Sequence, residues 1–135
     1  MKTVITFGTY DLFHIGHLRI LTRAKQLGDR LIVGVSTDEL NFSKKGINPV
    51  FSLAERIEIL HALSCVDEVF SEESLELKAD YIRSYKADVL VMGDDWRGKF
   101  DCYTPLCQVI YLPRTQGIST TKIKEYIGKI PPDSF

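Results

Sequence analysis

His14 and His17 stand three residues apart, with Gly16 between them, in the stretch Gly8-Thr9-Tyr10-Asp11-Leu12-Phe13-His14-Ile15-Gly16-His17. An imidazole can donate to a phosphate oxygen, bind a metal or move a proton. At a helix entry, this spacing places both rings on one side of the turn. Gly16 removes a side chain where a ligand or backbone must come close. The stretch has neither the Gly-Lys-Ser/Thr of a P-loop nor a Gly-x-Gly-x-x-Gly pattern. A zinc pair more usually has His-x-x-x-His spacing and further ligands; His61 and the scattered Cys65, Cys102 and Cys107 supply none. Two readings stay open from these residues: a phosphate site with both imidazoles on it, or one surface histidine beside one packed donor.

A second constellation lies towards the other end. Arg114-Thr115-Gln116-Gly117-Ile118-Ser119-Thr120-Thr121 sets an arginine ahead of three hydroxyls at a helix start. One hydroxyl caps a helix. Three, with free N–H groups and the positive end of the dipole, suit a polyphosphate. Gly93-Asp94-Asp95 follows a strand, where a carboxylate can hold Mg²⁺, accept from a ribose or base, or cap a turn. Lys44-Lys45-Gly46 lies in Asn41 to Phe51, read as a long irregular loop. Its lysines are either a solvated tip or a mobile clamp beside the phosphate site. Arg56 falls in the first turn of a helix opened by the capping box Ser52-Leu53-Ala54-Glu55, where the dipole disfavours a cation. Contact with an anion accounts for that placement, and so does a surface ion pair. Lys78 reads as the solvated face of a helix.

The elements that position these residues alternate along the chain. Val4–Phe7, Arg30–Ser36, Val66–Phe70, Val89–Met92 and Gln108–Leu112 read as strands. Between them, Leu18, Leu21, Ala24 and Leu27 recur at helical spacing, the capped helix carries Ile57 and Leu60, and Ser74–Tyr85 carries Leu75, Ala79 and Ile82. A last helix begins near Ser119 and runs to Gly128. Strand–helix alternation gives an α/β fold with five parallel strands and helices on both faces. Ligands in such sheets bind beyond the carboxyl ends of the strands, where the strand order reverses.

The chain of 135 residues suits one domain, read as 1–130 with a flexible tail over 131–135. A net charge of −1 implies no broad attraction to nucleic acid or an anionic membrane. Three cysteines without metal spacing suit a reducing cytoplasm, and no signal peptide or bilayer-length apolar run is expected.

The first motif, with its His-x-Gly-His, and Arg114–Thr121 in this order resemble the two signatures of the cytidylyltransferase branch of the nucleotidylyltransferase superfamily. Gly93-Asp94-Asp95-Trp96-Arg97-Gly98-Lys99-Phe100-Asp101 resembles the glycerol-3-phosphate cytidylyltransferases more than the choline or ethanolamine enzymes. The resemblance covers nearly the whole chain. It implies a Rossmann-like, doubly wound sheet of order 3-2-1-4-5, a homodimer, and CTP + glycerol 3-phosphate → CDP-glycerol + pyrophosphate with Mg²⁺, supplying teichoic-acid-type or capsular polymers. It implies that His14, His17 and Arg114 act on the phosphates. It places Thr9, Tyr10, Asp11, Ile15, Gly16, Arg56, Asp95, Thr115, Gln116, Gly117, Ile118, Ser119, Thr120 and Thr121 at the nucleotide, with Ser119 and Thr120 on the β- and γ-phosphates. Asp95 is also the candidate Mg²⁺ contact. Lys44, Lys45 and Lys78 are the candidates for glycerol phosphate. Two departures stand out: the basic loop is compact, so Lys44 and Lys45 compete for one role, and Tyr10 stands where phenylalanine is frequent.

Overall fold

Parallel strands buried on both faces need continuous apolar runs, and three strands here have them. β1 (Thr3–Gly8), β2 (Arg30–Ser36) and β4 (Val89–Gly93) are buried almost throughout. With β3 (Glu68–Glu72) and β5 (Gln108–Leu112) they form one parallel sheet of order β3-β2-β1-β4-β5. The computed structural model describes residues 1–134. Successive side chains alternate between two cores. Val4, Leu31, Val33, Val89 and Val91 pack with Leu21 of α1 (Ile15–Lys25) and Leu60 of α3 (Leu53–His61). Ile5, Phe7, Ile32, Leu90 and Met92 pack on the other face with Ile82 of α4 (Lys78–Ser84).

The order reverses between β1 and β4, so the crevice beyond their carboxyl ends is the natural ligand site. The first motif leaves β1 there, and Asp94–Trp96 leaves β4 as a 3₁₀ turn. α5 (Thr120–Gly128) brings its N-terminus to the same edge.

Three sequence expectations change. The stretch from Asn41 is not wholly irregular: α2 (Asp38–Lys45) runs through it, capped by Thr37 and closed by Gly46 at φ 74°. Acidic residues in its first turn and Lys44 and Lys45 in its last complement the dipole, which explains the helix. The third strand is displaced by two residues: Asp67 meets Leu31 through its own N–H and through its carboxylate, which takes the Leu31 N–H that a strand carbonyl would otherwise accept, so register pairing begins at Glu68. The strand therefore ends on Glu72, paired in register with Ser36. The helix expected from Ser74 is a 3₁₀ turn, Leu75–Leu77, followed by α4. In the expected tail, Pro132–Ser134 forms one 3₁₀ turn, and Phe135 lies outside the described residues.

Candidate active site

β1 delivers the chain into a strained turn. Tyr10 and Leu12 hold positive φ values of 55° and 49°, a conformation that non-glycine residues keep only when their surroundings enforce it. Asp11 is the enforcer. Its buried carboxylate accepts from Val50 N–H at 2.7 Å and Phe51 N–H at 2.9 Å, pinning the turn to the segment ahead of α3. It thus orders the motif, and its oxygens are occupied by backbone. Thr9 donates to Asn41 Oδ1 at 2.9 Å, and buried Asn41 in turn donates to Ser36 and Thr37. Buried Tyr10 lays its ring over Gly8 and meets His17 edge-on.

His14 is the N-cap of α1 and His17 its third residue, and together they form a capping box. The backbone N–H of Gly16 donates to His14 Nδ1 at 3.0 Å, and that of His14 donates to His17 Nδ1 at 3.3 Å. A nitrogen that accepts carries no proton, so both rings hold their hydrogen on Nε2. The rings stack with centroids 3.8 Å apart. Burial first, then the positive Arg114, lowers the His14 pKa. Burial and then His14 push His17 down to about 4; Asp11 opposes them, and Arg114 adds a smaller push in the same direction as burial. Two neutral imidazoles thus stand with fixed Nε2–H donors. Gly16 permits this, since a Cβ there would sit 2.7 Å from His14 Cε1.

The histidines line a cleft of about 870 Å³ along the carboxyl edge of the sheet. Of the expected residues, Thr9, Tyr10, Asp11, Gly16, Lys44, Lys45, Lys78, Asp95, Arg114, Thr115, Ile118, Ser119, Thr120 and Thr121 also line it. Arg114 approaches Asp95 at 3.4 Å and stays half exposed. Ser119 caps α5 by accepting from Lys122 N–H, which leaves its own hydrogen available. Thr120 donates its hydroxyl hydrogen to Asp11 C=O at 3.0 Å, so towards a phosphate it offers a backbone N–H rather than a hydroxyl donor.

Ile15, Gln116 and Gly117 do not reach the cleft wall, and Ile15 is 44% exposed. Arg56 requires the clearest correction: it is fully buried and is not a phosphate clamp. Its guanidinium donates to the carbonyls of Phe51, Thr9 and Ser36 and pairs with Asp38 at 2.7 Å. The anion that accounts for its place at a helix N-terminus is an internal carboxylate.

The sequence did not single out Asn41, Glu72 or Lys124 as cleft residues. Lys124 was within reach of sequence reasoning, one helical turn beyond Thr120. Glu72 was hidden by the misplaced third strand. Lys78, read from spacing as solvated, is buried; its Nζ donates to Glu72 Oε2 at 2.6 Å and lies 3.9 Å above the Phe7 ring. Among the described residues, no group of three or more His, Cys, Asp or Glu gathers into a metal cage.

Residues 5–126 match the cytidylyltransferase-like family pattern. The chain is 54% identical over 128 residues to the glycerol-3-phosphate cytidylyltransferase of Bacillus subtilis, covering 95% of this chain and 98% of that one. It is 48% identical over 130 residues to the glycerol-3-phosphate cytidylyltransferase of Staphylococcus aureus, covering 96% and 98%. The fold matches the crystal structure of a lipopolysaccharide core biosynthesis protein from Thermoplasma volcanium, with a TM-score of 0.72 at 23% identity over 85% of this chain and 97% of that one. Two imidazoles set at the sheet's switch point, a second phosphate-type helix start beside them and a match across nearly all the chain lead to one assignment: this protein belongs to the cytidylyltransferase-like family.

Proposed function

We propose that this protein transfers the cytidylyl group of CTP to glycerol 3-phosphate, giving CDP-glycerol and pyrophosphate. Identity of about half over nearly the full length of two glycerol-3-phosphate cytidylyltransferases supports the substrates. The observation that carries the reaction class is the pair of backbone-locked Nε2–H donors at the β1/β4 crevice.

An acceptor phosphate oxygen attacks the α-phosphorus of CTP in line. The new P–O bond forms as the bond to the β-phosphate breaks, and its electron pair leaves on pyrophosphate. The acceptor dianion is already a nucleophile, so no base is needed. The transition state needs positioning and neutralisation of charge. His14 and His17 supply donors that need no reorganisation, because the backbone already fixes each ring. Arg114 adds a planar cation suited to phosphate. The N-terminal N–H groups of α5 and the Ser119 hydroxyl hold the β- and γ-phosphates. Lys44 and Lys45, in the last turn of α2, approach the acceptor phosphate from the β2 side, and Lys78, held against Glu72, lines the same acceptor side of the cleft.

The donor set fits a Mg²⁺ ion carried mainly by the triphosphate, with Asp95 as its protein contact, since Mg²⁺ commonly takes one or two carboxylates plus substrate phosphates and keeps several waters. When bound, it would offset negative charge on the triphosphate. A homodimer and a cytoplasmic location belong to the same proposal. Free Cys65, Cys102 and Cys107 support a reducing compartment. No helix among the described residues is long and apolar enough to cross a membrane. The proposal is tested by pyrophosphate release with CTP, each phosphorylated alcohol and Mg²⁺; CDP-glycerol should form, and its absence with active CTP turnover on another acceptor would replace the substrate.

A further inference from the structure

The cleft holds a buried carboxylate that the proposed chemistry does not use. Glu72 ends β3, is 2% exposed and lines the cleft. Its Oε2 accepts from Lys78 Nζ at 2.6 Å, and no donor among the described residues reaches Oε1. Yet no buried side-chain oxygen among the described residues lacks a partner. Oε1 is therefore open to the cleft.

Position and charge indicate its ligand. β3 lies two strands from β1, about 10 Å at ~4.8 Å per strand, on the side away from β4. That is the far end of an acceptor whose phosphate lies against the histidines. Lys44, Lys45 and Lys78 share the cleft with Glu72, while the cleft's other two carboxylates, Asp11 and Asp95, are engaged by the Val50 and Phe51 N–H groups and by Arg114. The surplus matches a phosphate dianion and leaves no negative charge for a cationic head group. An ionised carboxylate that already holds one ammonium still accepts further donors. The donors a neutral acceptor carries at that end are hydroxyls.

We infer that Glu72 is a specificity-determining residue, whose Oε1 accepts hydrogen bonds from the hydroxyls of a phosphorylated polyol while Lys78 holds the carboxylate in place. The inference rests on the proposed function and names the group that reads its acceptor. Hydroxyl-to-carboxylate bonds are charge-assisted, and a site built for them rejects analogues that lack the hydroxyl.

The experiment compares kcat/KM for glycerol 3-phosphate and n-propyl phosphate at saturating CTP, in the wild type, Glu72→Gln and Glu72→Ala. Wild type should favour the polyol by ~100-fold, the scale of two hydrogen bonds to a charged group. Glu72→Gln should cut that preference to about 10-fold, and Glu72→Ala to within about 3-fold, with KM for CTP little changed. If the variants lose activity equally on both acceptors, Glu72 only holds Lys78 and the inference is overturned. A wild type without preference overturns it too. Should Glu72→Ala fail to fold, the glutamine variant decides the outcome alone. Failure of the wild type to use glycerol 3-phosphate at all would instead defeat the proposed function.

Discussion

A neutral imidazole has one donor and one acceptor, and at His14 and His17 the backbone of α1 decides which nitrogen is which. The cap and the catalytic donor are therefore the same side chain, and their roles can be separated. Asparagine is a good N-cap but has no donor at the Nε2 position. His14→Asn should keep the melting temperature within a few degrees while lowering kcat by ~10²–10³-fold, the scale of one lost preorganised donor. His17→Ala should lower kcat at least as much, and near-normal turnover in steady-state assays would sink the role. A helix's first turn indicates only that a cation there needs an anion or carbonyls, not whether these come from a ligand or from the chain. Arg56→Ala should destabilise by about 3 kcal/mol, since it strips three carbonyls and Asp38 of their partner. Denaturant unfolding measures this, and loss of activity without loss of stability would restore the clamp.

Elements carry the site as much as residues do. The His14 ring can lie across the start of α1 only because position 16 has no Cβ. Gly16→Ala should displace the His14 ring and cost at least ~10-fold in kcat with little change in far-UV circular dichroism. α2 delivers Lys44 to the acceptor side, so Lys44→Ala should raise KM for the acceptor several-fold and KM for CTP much less; equal effects would count against that division. The periodicity of Leu18, Leu21 and Ala24 and the Ser52 capping box made α1 and α3 legible. α2 was obscured because Asn41, Phe42 and Ser43 give no clean apolar stripe, and its Thr37 cap and Gly46 stop are the signals that mark it. The displaced third strand hid Glu72: Val66, Val69 and Phe70 carry the strand signal, and only the tie of Asp67 to Leu31 shows where pairing begins.

At the scale of the whole molecule, alternation of strands and helices made the parallel sheet readable, and the two motifs marked the family. What the sequence could not show was partnership across long separations, such as Asp11 with Val50 and Phe51 and Thr120 with Asp11. The folded state also fixes a pH response. His17 falls from the ordinary 6.5 to about 4, so the unfolded chain takes up the proton first. Its contribution to stability is complete above about pH 6.5 and is lost as pH falls towards 4. Melting temperature should drop over that window more steeply in wild type than in His17→Asn. If this cleft joins CTP to a phosphorylated polyol, pyrophosphate release with CTP should favour glycerol 3-phosphate over phosphocholine by more than ~100-fold in kcat/KM, about 3 kcal/mol of discrimination. Equal or faster turnover of phosphocholine would contradict it.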